Sequence, residues 1–245
     1  MEPVRFLLSA KSPCGYLPGR DSAAVVADPE APLDGAAYAT LLAYGFRRSG
    51  RLVYRPRCPG CRACVPVRIP VARFRPSRSQ RRVWRRNRDL TVAVVPPRFR
   101  REHYDLFRRY QRDHHGDTME LARPGEPPEA GYHRFLVASP VATEHHEYRL
   151  GGRLVGVGVV DRLPAALSSV YYFYDPEEGR RSLGTYSVLW EVAYARRLGL
   201  AHHYLGYWIE ACAKMRYKQR FQPLEWFDGA AWRRWPPGES AAAAP

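Results

Sequence analysis

No stretch of this chain stays apolar for the about 20 residues that a bilayer-spanning helix needs, so no membrane segment is expected. The first ten residues carry one basic residue, Arg5, and too short an apolar run for a secretory leader. The expected location is therefore the cytoplasm. Lysine is almost missing: of 39 basic residues, all but Lys11, Lys214 and Lys218 are arginine. Acidic residues are missing where the arginines crowd. Between Arg47 and Arg112 there are 21 arginines, against only Asp89, Glu102 and Asp105. A base-composition bias toward arginine codons accounts for Arg over Lys but not for that gap in acids. No phosphate-cradling Walker pattern occurs, so no ATP site is expected. No internal repeat is visible.

What is present is a globular composition. The 245 residues are 45% apolar and 13% aromatic, enough for a large core. The net charge of +15 is concentrated in the arginine-rich segment, which reads as a phosphate-binding surface. The five cysteines are Cys14, Cys58, Cys61, Cys64 and Cys212. In a chain read as cytosolic, they favour metal or redox chemistry over structural disulfides.

The stretch Ser168–Leu200 organises the rest. Its first part alternates, with Val170, Tyr172 and Tyr174 on one face and Tyr171 and Phe173 on the other, as in a strand. Its last part places Tyr186, Leu189, Trp190 and Ala193 at helical spacing and ends in Arg196, Arg197 and a capping Gly199. Between them lies Arg180-Arg181-Ser182-Leu183-Gly184-Thr185-Tyr186. A basic turn at a helix start offers free N–H groups and the positive dipole end to an anion. An ordinary strand–helix connection fits that stretch equally well.

Upstream, the pattern predicts a loop over Lys11–Arg20, a helix over Gly35–Tyr44 and a hairpin over Phe46–Pro56 turning at Ser49-Gly50. The alternating 65–71 follows, then the very basic Ser77–Leu90, a strand over Leu90–Val95 and a helix over Arg98–His115. Glu120–Ala130 reads as a mobile surface loop and Tyr132–Ala138 as a short helix. Glu144–Leu150 and Leu154–Asp161 are expected strands joined at Gly151-Gly152. His202–Tyr207 is expected as a strand, Ile209–Phe221 as a helix with Cys212 on its apolar face, and Leu224–Phe227 as a last strand. Gly238–Pro245 is expected as a disordered tail. The fold class is α+β with a mixed sheet. The element order resembles the GNAT-type acyltransferase fold, with a cleft walled by Tyr171–Asp175 and Tyr204–Trp208. The expected division is a Cys-containing N-terminal module over 1–75, an acyl-transfer domain over 76–235 and the tail over 236–245.

Ordered blocks carry a more specific likeness. They are Cys14-Gly-Tyr16-Leu17-Pro18-Gly-Arg20, Gly45-Phe46-Arg47-Arg48-Ser49-Gly50 and Tyr54-Arg55-Pro56, followed by Cys61-Arg-Ala-Cys64-Val65-Pro66-Val67-Arg68 and Pro76-Ser77-Arg78-Ser79-Gln80-Arg81-Arg82. Farther on come Val160-Asp161-Arg162-Leu163-Pro164, Arg181-Ser182-Leu183-Gly184-Thr185-Tyr186, Tyr204-Leu205-Gly206-Tyr207-Trp208-Ile209 and Met215-Arg-Tyr217-Lys218. From about Cys14 to Glu225 the chain resembles the bacterial aspartate/glutamate leucyltransferases, relatives of the eukaryotic arginyl-tRNA–protein transferases.

That resemblance implies transfer of leucine from leucyl-tRNA to the N-terminal amine of proteins beginning with Asp or Glu. The product is a degradation signal. An aminoacyl ester is already activated, and a free α-amine titrates at about 7.7–8, so part of it is neutral near neutral pH. Catalysis then requires positioning, a modest base and a stabilised oxyanion, with no required cofactor. The acceptor's carboxylate calls for a cation, with Arg78 and Arg81 favoured among Arg82, Arg180, Lys218 and Arg220. Asp161 is a candidate to orient the ammonium or act as base, or else it caps a turn. Tyr207 and Lys218 join it as candidate catalytic groups. Tyr171, Tyr186 and Trp208 line the expected cleft or belong to the core. Backbone groups at Ser182, Gly184 and Thr185, with Arg180, would hold phosphates of the tRNA end, and Ser77–Arg88 and Arg98–Arg112 its backbone. Cys58, Cys61 and Cys64, with Cys14, suggest a four-thiolate zinc or iron–sulfur site, as in the eukaryotic relatives. Their tight spacing, with Cys14 lying 44 positions before Cys58, weighs against it. Rival readings are the same reaction with arginine, an acyl-CoA N-acyltransferase and a non-catalytic RNA-binding module.

Overall fold

A computed structural model describes residues 4–116 and 122–235. The tail expected over Gly238–Pro245 lies outside the described residues, as do Glu120 and Leu121 of the loop expected over Glu120–Ala130. No helix among the described residues is long and apolar enough to cross a membrane.

The chain opens with β1 (Phe6–Leu8), β2 (Ser12–Pro13), β3 (Asp21–Ser22), β4 (Ala24–Ala27), α1 (Gly35–Ala43), β5 (Arg47–Ser49) and β6 (Leu52–Pro56). Strands β1-β4-β6-β5 form a small antiparallel sheet. Asp34 starts α1 by accepting the Ala37 N–H at 2.7 Å. The β5–β6 hairpin pairs Ser49 with Leu52, so it turns at Gly50-Arg51, one position later than expected.

Next come β7 (Val65–Pro70), α2 (Arg78–Arg86), β8 (Leu90–Val95), α3 (Arg101–His115) and α4 (Pro128–Tyr132), which runs into a π-helical turn over His133–Val137. They are followed by β9 (Thr143–Leu150), β10 (Arg153–Leu163), β11 (Ala166–Tyr174), α5 (Leu183–Arg197), β12 (His202–Trp208), α6 (Ala213–Arg216), β13 (Glu225–Phe227) and β14 (Trp232–Arg234). A second sheet has the order β14-β13-β7-β12-β11-β10-β9-β8. Only β11 and β12 run parallel in it. This is the mixed α/β arrangement that the sequence suggested. Strand β7 belongs to the first 75 residues yet lies between β12 and β13, so both expected parts of the chain contribute to one sheet.

Helix α2 has no apolar stripe, and periodicity did not mark it. Its start is set locally by a capping box: Ser77 Oγ accepts the Gln80 N–H at 3.3 Å, and Gln80 Oε1 accepts the Ser77 N–H at 2.8 Å. The helix expected over Ile209–Phe221 is mostly turn. Only Ala213–Arg216 is α-helical, followed by a 3₁₀ turn over Tyr217–Arg220. The physical reason is that Ile209 and Phe221 both continue into the core while Lys218 turns inward to the β12 backbone. Cys212, expected on an apolar helix face, sits half-buried just before α6.

One ion pair joins the small sheet to the large one. Arg48 of β5 donates from Nε to Asp161 Oδ2 at 2.7 Å and from Nη2 to Oδ1 at 2.5 Å. Both side chains are fully buried. Thr143 Oγ1 donates to Asp161 Oδ1 at 2.7 Å, and Arg48 also donates to Gly50 O and Thr143. A buried pair with its remaining lone pairs satisfied is tolerated, but a lone buried charge is not. Asp161→Ala should therefore lower unfolding free energy by about 3–5 kcal/mol, measured by urea denaturation. A loss under about 1 kcal/mol, the range of exposed pairs, would show that this pair does not hold the sheets together.

Candidate active site

The large sheet opens between its two parallel strands. β11 and β12 pair only at Ala166–His202, Leu167–His203 and Ser168–Tyr204, although β11 continues to Tyr174 and β12 to Trp208. Each carries an extra residue just beyond the last rung. In β11, Ser169 faces Val160 and Tyr171 faces Val159, which leaves Val170 unpaired. In β12, Tyr204 faces Arg68 and Gly206 faces Val67, which leaves Leu205 unpaired. A bulge bends its strand and increases its twist, so two at one level drive the strands apart. The bulge also moves Val170 from the Tyr172 and Tyr174 face, where alternation placed it, to the side of Tyr171 and Phe173.

Arg47 of β5 sits in the opening. Nη1 donates to Ser168 Oγ at 3.0 Å, and Nη2 donates to the Ser169 carbonyl. On the other side its guanidinium lies against Gly206, where an added Cβ would stand 3.1 Å from Cζ. Gly206 has φ +81°, which also favours glycine.

Lys218 is buried next to this group. Nζ donates to Tyr207 O at 2.6 Å and contacts Met215 Sδ at 3.2 Å. Burial, and then the charge of Arg47, push its ammonium down to about 7, against the smaller opposing influence of Cys212 and Cys64. Near neutral pH much of Lys218 is a free amine, which leaves a lone pair able to accept a proton. Burial raises the Tyr16 hydroxyl and the Cys64 thiol, each to about 12, so both stay neutral.

A second buried network lies behind β11. Ser169 Oγ donates to Glu191 Oε2 at 2.5 Å, and His203 Nε2 lies 2.8 Å from both Ser169 Oγ and Glu191 Oε2. Burial alone would raise the Glu191 carboxyl. The hydrogen bond and charge of His203, with His146 and Ser169, outweigh it and hold the group below the usual carboxylate range.

At the start of α5 part of the backbone is committed to the turn itself, and the Ser182 N–H donates to Gly179 O. Ser182 has φ +56°, the one non-glycine residue in the left-handed region among the described residues. Thr185 and Tyr186 turn their N–H groups back to Ser182 O. Arg181 is bound to Asp89 and Glu178, whereas Arg180 is exposed. Helix α2 packs against α5 through the Trp84–Tyr186 ring contact. Its Arg78, Arg82 and Arg85, and Arg88 just beyond its end, are exposed, and no hydrogen bond or ion pair holds their side chains among the described residues. A groove of about 370 Å³ between the helices is lined by Phe74, Arg81, Trp84, Arg85, Arg88 and Arg196, among others.

Several sequence-based candidates stand elsewhere than expected. Asp161 does not face the opening, because Arg48 and Thr143 occupy its carboxylate. Tyr207 is buried and donates to Gly45 O at 3.0 Å. Tyr171 faces α3 and accepts from Gln111 Nε2 at 2.9 Å. Tyr186 is buried against Trp84 and Tyr148, and Trp208 is in the core against Trp235. Arg78 and Arg81 are on the exposed α2 and bond to neither Arg47 nor Lys218. Cys14, Cys58 and Cys61 are near enough to Cys64 to raise its thiol. Even so, no three His, Cys, Asp or Glu side chains among the described residues are grouped to hold a metal. Cys58 Sγ turns instead to the Ala23 carbonyl. Arg47 and the Ser169–Glu191–His203 network were not singled out. The available signal was glycine inside a strand at Gly206, a mark of close approach by another group.

The chain matches a family model described as arginine-tRNA-protein transferase, N terminus, over residues 12–82, and its C-terminal counterpart over residues 102–228. It is 46% identical to an aspartate/glutamate leucyltransferase of Chromobacterium violaceum over 236 residues, covering 96% of each chain. It is 49% identical to a protein of that name from Nitrosococcus oceani, covering 93% of this chain and 94% of that one. A third, from Pseudomonas fluorescens, is 45% identical, with 94% and 96% covered.

Because the Glu191 carboxyl is depressed in the folded protein, its contribution is full above the unfolded value of about 4.3 and is lost as pH falls through the folded value. Glu191→Gln should destabilise the protein by about 1–3 kcal/mol at pH 7. The difference from wild type should shrink below about pH 4. Denaturation of both proteins across pH checks this, and a difference independent of pH would contradict it.

Proposed function

The chain belongs to the family of the aspartate/glutamate leucyltransferases and arginine-tRNA-protein transferases, and on that premise we infer its reaction. It is an aminoacyl-tRNA–protein transferase. Leucine passes from leucyl-tRNA to the N-terminal amine of a protein beginning with Asp or Glu, creating a degradation signal. The observation that carries this reading is the opening between β11 and β12, with Arg47 and Lys218 at its base, in a chain that matches leucyltransferases over nearly its whole length.

The acceptor amine attacks the ester carbonyl, forming the C–N bond, and the C–O bond to the terminal ribose then breaks. The proton leaving the amine ends on the ribose oxygen. Lys218 is the proposed carrier of that proton: as a neutral amine it takes the proton, and as an ammonium it returns it. The groups facing it are Arg47 from β5, the Tyr207 carbonyl from β12, Met215 from α6, and Cys64 and Cys212. Tyr207 and Asp161 take supporting roles, fixing β12 and β5 respectively. The reaction neither consumes ATP nor needs a cofactor, because the ester is already activated. The cytoplasm, where charged tRNA is found, is the proposed location.

The tRNA is proposed to lie outside the opening. The Gly184 N–H and the hydroxyls of Ser182 and Thr185, with Arg180, suit its terminal phosphates. Unpartnered arginines on α2 suit the phosphate backbone, and Trp84 offers a stacking face beside them. The family models carry the name of arginine enzymes, so leucine must be tested against arginine. Purified protein offered leucyl-tRNA and arginyl-tRNA with Asp-starting peptides should transfer leucine. Preferential arginine transfer would overturn that choice.

Lys218→Met should lower kcat by about 10²–10⁴-fold, the usual worth of a general base. It should also erase the rate limb near pH 7, leaving only the limb of the acceptor amine. A pH profile unchanged by the substitution would remove Lys218 from the reaction. Arg82→Ala should weaken tRNA binding and reduce its salt slope by about one, with the acceptor KM unchanged. Binding that does not respond to salt would move the tRNA to another face.

A further inference from the structure

The geometry points to Arg47 as the receptor for the acceptor's acidic side chain, with the carboxylate entering between β11 and β12 beside Lys218. This rests on the transferase reading above and deepens it. Buried charges in folded proteins are paired. Among the described residues the buried carboxylates are Glu147, Asp161, Asp175, Glu191 and Glu225. Each already has a basic partner: Arg149, Arg48, Arg153, His203 and Arg68 respectively. The buried arginines are Arg47 and Arg48. Arg48 holds Asp161, while Arg47 has only the neutral oxygens of Ser168 and Ser169.

A guanidinium carries five N–H donors and no acceptor. Those two contacts leave most of its donors unused, and its Nε hydrogen-bonds to nothing among the described residues. Lys218 beside it hydrogen-bonds only to a carbonyl and a thioether among the described residues. Tyr16, Tyr54, Tyr207 and Cys64 surround the pair, and burial keeps all four protonated and neutral. The free protein thus holds a buried guanidinium beside a buried amine, with no anion between them among the described residues. A substrate beginning with Asp or Glu brings that anion within a few bonds of the reacting amine. A planar carboxylate matches the fork of an arginine. A neutral Asn or Gln would leave Arg47 uncompensated.

The test is transfer from leucyl-tRNA to peptides starting with Asp, Glu, Asn or Gln. Wild-type protein should prefer Asp over Asn by about a hundredfold or more in kcat/KM, the scale of a buried charge pair losing one partner. Arg47→Gln keeps donors for Ser168 and Ser169 but loses the charge. It should bring that ratio to within about threefold while changing tRNA affinity less than about twofold. Arg47→Lys keeps the charge without the fork and should retain the acidic preference at about tenfold lower kcat/KM. An undiminished Asp:Asn ratio in folded Arg47→Gln, or its loss in Arg78→Ala or Arg81→Ala, overturns the assignment. Should Arg47→Gln not fold, the structure of the wild-type protein with an Asp-starting peptide decides. A carboxylate on Arg47 upholds the receptor, and one on α2 overturns it. Wild-type protein that binds this peptide through Arg47 yet transfers no leucine would overturn the reaction and keep the receptor. Transfer indifferent to Arg47 would do the reverse.

Discussion

A single rung of the large sheet takes both arginines of β5. Asp161 of β10 faces Ser168 of β11 in the antiparallel ladder. Arg48 closes on Asp161, and Arg47, its neighbour in sequence, closes on Ser168. The first contact anchors the small sheet, because a buried carboxylate and guanidinium tolerate separation poorly. The second places a cation where the sheet opens. Neither could shift alone, since three residues of one short strand supply both. The position of the small sheet, the width of the opening and the charge inside it therefore share one cause.

The opening has its own logic. Parallel strands in a continuous sheet would keep pairing, and β11 and β12 are long enough to do so. Bulges at Val170 and Leu205 stop them after three rungs. The freed backbone must find other partners or water, and the Ser169 carbonyl is met by Arg47. Gly206 has no side chain to obstruct that guanidinium. The Ser169–Glu191–His203 network holds β11 from behind, tying the residue next to the bulge to α5 and β12. Charge is thus distributed by depth. Arginines on α2 are exposed, where screening by salt is strong, and suit a polyanion. Arg47 and Lys218 are buried, where one carboxylate or one proton has a large effect.

Much of this was legible beforehand. The strand–turn–helix of Ser168–Leu200, the hairpin at Gly151-Gly152 and strand β8 follow from alternation, helical spacing and turn residues, which are local properties. The basic surface follows from counting arginines against acids. Helix α2 was not legible, because a capping box without an apolar stripe gives no periodic signal. The turn replacing the helix expected over Ile209–Phe221 was not legible either, because Lys218 is drawn inward by a carbonyl on another element. Asp161 and Cys58 had chemistry that fitted a site, but their distant partners, Arg48 and Ala23, redirected them.

By itself, the sequence determined the class of sheet, the cationic character and the family, because alternation, composition and ordered motifs are carried along the chain. Only the tertiary structure decided which of the many arginines stands buried without a carboxylate. That depends on which groups face one another after folding: Arg47 and Arg48 are adjacent and chemically identical, and only their partners across the sheet tell them apart.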